Sequence, residues 1–345
     1  MTKFAPRRLS LLAAVAVMGL VAVACSSGGG ADVGVGGAKA TTTTTPKYYP
    51  LTGLAVDDPT TASRPAITVK IENSPPSRPQ AGLDKADVVF EAVVEGGQTR
   101  FLAMFQSTDA SNAGPVRSVR PSDPSIVSPF GGIVAYSGGI PKFVSAMQAT
   151  GLKNFDETNA GSAFRRRSDK VAPHNLYTST GGLYSAAGPG GSPPKPFATF
   201  LKPGDPWAPA GATPVTGFNL AIGSSTSASY EWNASSGAWM RSTDGKPHNV
   251  EGGGQLSANT VIVQYTTYAS TGEVDTTGAV VSEATIIGSG DAVVFANGSM
   301  VKAKWSKSSA TAMTQWTDLA GNPLSLPAGR TWVELPAIGS ALTTK

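Results

Sequence analysis

Three short stretches gather the residue types that could bind or transform a charged ligand. The first is Glu95-Gly96-Gly97-Gln98-Thr99-Arg100-Phe101 and the second is Gly114-Pro115-Val116-Arg117-Ser118-Val119-Arg120-Pro121. The third is Phe164-Arg165-Arg166-Arg167, followed by Pro173-His174-Asn175-Leu176-Tyr177. Glycines in such loops let a ligand approach the backbone closely, and arginine offers a planar fork of donors that matches phosphate or carboxylate. Arg100, Arg117, Arg120 and Arg166, with Glu95, His174 and Asn175, are therefore the candidate ligand-binding residues. A plainer account pairs these arginines internally with Glu72, Asp87, Glu91, Glu95 or Asp123, and has His174 and Asn175 close a turn.

Other chemistries find less support. His174 and His248 are the two histidines and Cys25 the single cysteine, too few ligands for a zinc site, so no metal is expected. A Ser–His–Asp triad would need a nucleophile, and no Gly-x-Ser-x-Gly elbow is present. Glu91 and Glu95 are four apart; on a strand they share a face with Cα atoms ~13 Å apart, wider than the ~5–9.5 Å carboxyl gaps of glycosidases. Ser137-Gly138-Gly139 precedes a helical pattern but lacks the Lys and Ser/Thr of a phosphate-binding loop. No catalytic residue and no cofactor is assigned. The leading reading is a non-catalytic binding protein. The alternative is an enzyme acting on wall glycan or phosphodiester, with His174 or Glu95 as acid/base and the arginines stabilising charge.

The start of the chain indicates where this chemistry would take place. Lys3, Arg7 and Arg8 precede the uncharged apolar run Leu11–Ala24, short for the ~20 residues of a spanning helix. Ala22-Val23-Ala24-Cys25 then follows the lipobox order of aliphatic, small, small, Cys, with alanine where leucine is usual. Residues 1–24 therefore read as a lipoprotein signal peptide, and Cys25 as the acylated anchor in membrane lipid. Each buried methylene of such a chain contributes ~0.8 kcal/mol, so two or three acyl chains hold firmly. The expected location is the outer face of the cytoplasmic membrane. Residues 25–47 form a Gly/Ser/Thr tether, and Ser26–Pro46 reaches roughly 25 Å as a flexible coil.

Removing the leader lowers Lys+Arg from 27 to 24 against 23 acids, leaving a nearly neutral body with no global attraction for nucleic acid. Candidate partners, besides lipid, are peptidoglycan, an anionic envelope polymer or a wall-synthesis protein.

Forty glycines and 26 prolines predict a loop-rich body with few long helices. Ala66–Glu72 alternates Ile67, Val69 and Ile71 with Thr68, Lys70 and Glu72, the pattern of a half-buried strand. Ala86–Val94 and Arg100–Gln106 read as a hairpin. Short helices are expected at Asp123–Ser128, capped by Ser122 or Asp123 and ended by Pro129, and at Pro141–Thr150, with a strand at Gly132–Tyr136 between them. From Val215 the pattern is all-β, with hairpin turns at Ser235-Ser236-Gly237 and Asn297-Gly298. The fold class is α+β: a mixed α/β domain over 48–187, a Pro/Gly-rich linker over 188–214, a mainly antiparallel β domain over 215–337 and a tail over 338–345.

In sequence order, several segments together resemble the YerB-type family of bacterial lipoproteins. In the first half these are Arg78–Leu83, Ala86–Glu91, Glu95–Phe101, Gly114–Pro121 and Pro173–Tyr177; in the second they are Asn259–Val263, Gly288–Ala292 and Gly329–Glu334. The resemblance spans roughly Pro50–Pro336. It implies two domains, lipoprotein export and a cell-envelope role, with no molecular function assigned. Phe164-x-Arg166 fits the family pattern, whereas Arg165 and Arg167 look like local embellishments. No catalytic residue is carried over.

Overall fold

The structure, a computed structural model, describes residues 47–202 and 204–345. The leader, the acceptor Cys25 and nearly all of the tether lie outside the described residues. Among the described residues no helix is long and apolar enough to cross a membrane, and no cluster of metal-ligating side chains occurs.

The first half is mixed. After helix α1 (Pro59–Ser63) come strands β1 (Ile67–Glu72), β2 (Val88–Val93) and β3 (Thr99–Phe105). Helix α2 (Asp123–Val127), β4 (Ile133–Ala135), α3 (Pro141–Gln148) and β5 (Lys153–Phe155) alternate next. A small ribbon of β6 (Phe164–Arg166) and β7 (Leu176–Thr178) precedes α4 (Thr180–Ala187).

The second half is strands, mostly antiparallel. In order they are β8 (Thr213–Pro214), β9 (Gly217–Gly223), β10 (Thr226–Asn233), β11 (Ala238–Thr243) and β12 (Lys246–Pro247). Then follow β13 (Ser257–Ala258), β14 (Thr260–Gln264), β15 (Tyr268–Val274), β16 (Val280–Ala284) and β17 (Gly288–Ala296). The last are β18 (Ser299–Lys307), β19 (Gln315–Thr317), β20 (Thr331–Leu335) and β21 (Leu342–Thr344).

Strands of both halves share one sheet, in the order β19-β18-β17-β14-β20-β2-β3-β1-β4-β5. The seam is β20, which lies parallel to β14 on one side and to β2 on the other. Period-two alternation sends Val88, Phe90, Ala92, Leu102 and Met104 to one face, packed beneath α2 and α3. The opposite face carries Val69, Ile71, Val89, Phe101 and Ala103. It packs on Phe218, Leu220, Tyr230 and Trp239 of a second sheet ordered β12-β11-β10-β9-β21.

Several expectations need correction. β1 is not half-buried: all six residues are buried, because the polar face lies beneath α2, where Lys70 Nζ meets Asp123 Oδ1 at 2.7 Å. Ser122 does not cap α2. Its hydroxyl accepts the Ala284 amide at 2.7 Å and so ties down the β15–β16 hairpin. α2 does end before Pro129, as expected, and Pro129 sits in a further tight turn, Ser128–Phe130. Gly188–Pro214 runs against the body, and two of its aromatic side chains, Phe197 and Trp207, enter the core. The expected tail contains β21, which pairs with β9. At Asn297-Gly298 the turn is as expected, with φ of 47° and 69°. A Cβ on Gly298 would also lie 2.8 Å from the Trp232 indole nitrogen.

Candidate functional site

Three adjacent backbone segments, β1, β3 and the stretch after Gly114, form the centre of the site, and three loops complete it. Arg100, the second residue of β3, lies directly opposite Glu72, the last residue of β1. The stretch after Gly114 runs along β1: the Glu72 amide donates to Pro115 O and the Arg117 amide to Lys70 O. This places Arg117 beside Glu72. The turn Glu95–Gly97 between β2 and β3 supplies Glu95, and the loop before β7 supplies His174. The tip of the β15–β16 hairpin adds Asp275, Thr277 and Ala279. Together they line an open cleft of about 280 Å³.

Two carboxylates organise the arginines. Glu95 accepts both arms of the Arg120 fork: Nε donates to Oε1, and Nη2 to Oε2 at 2.6 Å. The remaining Arg120 donors include Nη1 to Val119 O at 2.9 Å and the backbone amide to Asp123 Oδ2 at 2.8 Å. Arg120 is therefore committed to holding the loop together. Glu72 accepts from the Ser74 hydroxyl at 2.8 Å, stands 3.3 Å from Arg117 Nη2 and meets His174 Nδ1 at 2.8 Å. With Nδ1 engaged by a carboxylate, the imidazole is fixed in orientation and keeps Nε2 for another partner.

Arg100 is different. It is nine-tenths buried, yet it makes one hydrogen bond, from Nη1 to Ser118 O at 3.1 Å, and its nearest carboxylate, Glu95, is 3.9 Å away. Burial, then Arg120, push its guanidinium down to about 10, and Glu95 only partly offsets them. Among the described residues Arg117 Nε is buried without a hydrogen-bond partner. Buried charged donors without acceptors are costly. An oxyanion in the cleft would supply the acceptors.

The structure thus brings Glu95, Arg100, Arg117, Arg120 and His174 together, but not Arg166 and Asn175. Arg166 is exposed on β6, where it forks onto Glu157 at 2.9 and 2.6 Å and donates to Asn175 Oδ1 at 3.0 Å. The turn expected around His174 is present, its amide donating to Val171 O at 2.8 Å. The imidazole, however, reaches Glu72 rather than backbone. The internal pairing expected of the arginines holds for Arg120 with Glu95 and Arg117 with Glu72, and leaves Arg100 under-satisfied.

Glu91 and Glu95 do not form a carboxylate pair. Glu91 is sealed in the core on Arg241, 2.6 Å from Nη2, while Glu95 lies on the cleft. Ser74, Asp275 and Thr277 were not among the expected site residues. Asp275 lies about 180 residues along the chain from Glu95, and its local pattern Asp-x-Thr-Gly reads only as a hairpin turn.

Comparison with known proteins bears on the whole chain. Residues 51–191 match the family model described as "Protein of unknown function (DUF3048) N-terminal domain", and residues 218–333 match its C-terminal domain. A Bacillus subtilis (strain 168) protein named "Putative lipoprotein YerB" is 40% identical over 141 residues. That match spans 40% of this chain and 42% of the relative's length. The crystal structure of YerB from Bacillus subtilis superposes with a TM-score of 0.73 at 24% identity, covering 86% of this chain and 99% of that one. The likeness to that structure is one of fold.

Proposed function

We propose that this chain, which belongs to the DUF3048 family, is a lipid-anchored extracytoplasmic binding protein whose Arg100–Arg117–His174 cleft seats an anionic group of the cell envelope. The observation that carries this reading is Arg100, a nearly buried guanidinium with a single hydrogen bond beside an open cleft. Lipobox residues Ala22–Cys25 and the name of the Bacillus relative support the anchor. Acylation of Cys25 would confine the cleft to the outer face of the cytoplasmic membrane and raise its effective concentration at the wall. Peptidoglycan, an anionic wall polymer and a wall-synthesis protein all fit that position.

Charge-assisted hydrogen bonds contribute about 1.5–3 kcal/mol each, so losing one should weaken binding roughly tenfold or more. Retention of the detergent-solubilised full chain on a purified wall fraction is expected to fall by that factor in Arg117→Ala and in Arg100→Gln. The Arg117→Ala protein should keep its melting temperature, since Glu72 retains Ser74 and His174. Undiminished retention in both variants would rule the cleft out. In the same preparation, Cys25→Ser should shift the protein from the membrane to the soluble fraction; a variant that stays with the membrane removes the anchor from the proposal.

A further inference from the structure

The cleft holds a second feature that anion binding by itself does not require. Arg100, Arg117 and Arg120 carry three positive charges, and Glu72 and Glu95 cancel two of them. One positive charge is left for a ligand before Asp275 is counted, whose carboxylate lines the same cleft. His174 adds none while neutral, and the Lys70–Asp123 pair beneath is balanced. At the rim, contributed by the β15–β16 hairpin of the second half, stands Asp275.

Its carboxylate divides its work. Oδ1 accepts the Thr277 amide at 2.8 Å, the Thr277 hydroxyl at 2.6 Å and the Ala279 amide at 3.0 Å, which folds the hairpin tip. Oδ2 has no hydrogen-bond partner among the described residues. Partial burial raises its pKa, but the Thr277 hydroxyl, the two amides and the charge of Arg120 outweigh it and hold the group ionised. The hairpin base is fixed: Tyr268 donates its hydroxyl to Leu335 O at 2.6 Å and accepts the Val93 amide at 3.1 Å. The negative charge is therefore held in place at the mouth of the cleft.

We infer that the cleft selects a singly charged oxyanion with two equivalent terminal oxygens, and that Asp275 is the residue that rejects a doubly charged one. This rests on the anion-binding reading above. A phosphodiester and a carboxylate both carry one charge over two oxygens, which matches Arg100, the one guanidinium that Glu72 and Glu95 leave uncancelled, and only Asp275 then stands against them. A phosphate monoester brings close to a second charge at neutral pH, which would remain uncompensated and face Asp275. Like charges placed together at a binding site act as specificity elements, because they penalise the wrong ligand more than they help the right one.

Isothermal titration of the full chain in detergent at pH 7.5 tests this with three probes: glycerophosphoglycerol as diester, glycerol 3-phosphate as monoester and N-acetylalanine as carboxylate. At least one singly charged probe should bind tenfold or more tightly than the monoester, and the tighter of the two identifies the source of the group. Asp275→Asn keeps the Oδ1 acceptor of the turn, so the fold should hold. Its monoester affinity should rise at least fivefold, with diester and carboxylate rising by a clearly smaller factor. Monoester binding as tight as the others in the unmodified chain, or an Asp275→Asn change equal for all three, overturns the inference and leaves the anion cleft standing. Absence of binding by every probe overturns both.

Discussion

Arg241→Ala is expected to destabilise the folded chain by about 3–5 kcal/mol, the range found when one partner is removed from a buried ion pair. Arg241 is wholly buried on β11 of the second sheet. Its Nη2 donates to Glu91 Oε2 on β2, and its Nη1 to Glu334 Oε1 on β20, each at 2.6 Å. The Tyr230 hydroxyl accepts from the same Nη1 and donates to Glu334. Glu91 and Glu334 are register partners on neighbouring strands, so the guanidinium bridges the two sheets. Burial first, and then the charge of Glu91, raise Glu334 well above the usual carboxylate range. Without Arg241, both carboxyl groups lose their countercharge in a closed interior. For a chain of this size the loss corresponds to a fall in melting temperature on the order of 10 °C, measurable by calorimetry. Apolar replacement of all three, Arg241→Met with Glu91→Leu and Glu334→Leu, should recover only part of it, because Asn73, Thr99 and Tyr230 then lose their buried acceptors. A single-variant loss below about 1 kcal/mol would show that the bridge does not hold the sheets together.

The second large effect concerns acid. His248 is buried beside the same arginine. Its Nδ1 accepts from the Thr243 hydroxyl at 2.8 Å and from Arg241 Nε at 3.2 Å, while Nε2 donates to Gln80 Oε1 at 2.8 Å. Burial, reinforced by Arg241 and Arg78, pushes its pKa well below the ordinary 6.5. In the folded chain the ring stays neutral where the unfolded chain already takes up a proton. Its contribution to stability is therefore full above pH 6.5 and declines as the pH falls from there towards the folded pKa. The slope is about 1.4 kcal/mol per pH unit for one proton, or about 2 kcal/mol by pH 5. Urea unfolding at pH 7.5, 6 and 5 should show a shallower acid decline in His248→Gln than in the unmodified chain. Parallel declines in the two proteins would mean that His248 is protonated in the folded state.

Local pattern made much of this molecule legible, and the reasons for success and failure are both physical. The strand at β1, the glycine-bearing turn between β2 and β3, and Asn297-Gly298 each report on neighbours a few residues away, and they appear where expected, although the polar face of β1 is buried. Burial of charge is not a local property. Lys70 reads as the polar side of a half-buried strand, and nothing nearby in sequence marks Glu91, Arg241 and Glu334 as a buried cluster, because the groups that neutralise them arrive from distant strands and helices. The same distinction runs through the cleft. Glu95, Arg100, Arg117 and Arg120 sit in two glycine-containing loops that border one strand pair, so the reading that grouped them found most of the site. Arg166 and Asn175 carry the same chemistry, but the β6–β7 ribbon leaves Arg166 exposed on Glu157 and Asn175 beside it. Asp275 lacked any signal, because its place at the rim depends on a hairpin from the other half of the chain.

The position of β20 has a consequence for how the molecule comes into being. Glu91 and Glu334 face each other across adjacent strands although 242 residues separate them along the chain. Pairings of such long range are late and slow to form, since a large loop must close before any contact repays it. Until Thr331–Leu335 has emerged, β2 and β14 each expose an unpaired flank, the kind of raw margin on which other chains polymerise. Under the export proposed above, both flanks would stay unpaired until the last strands had been delivered.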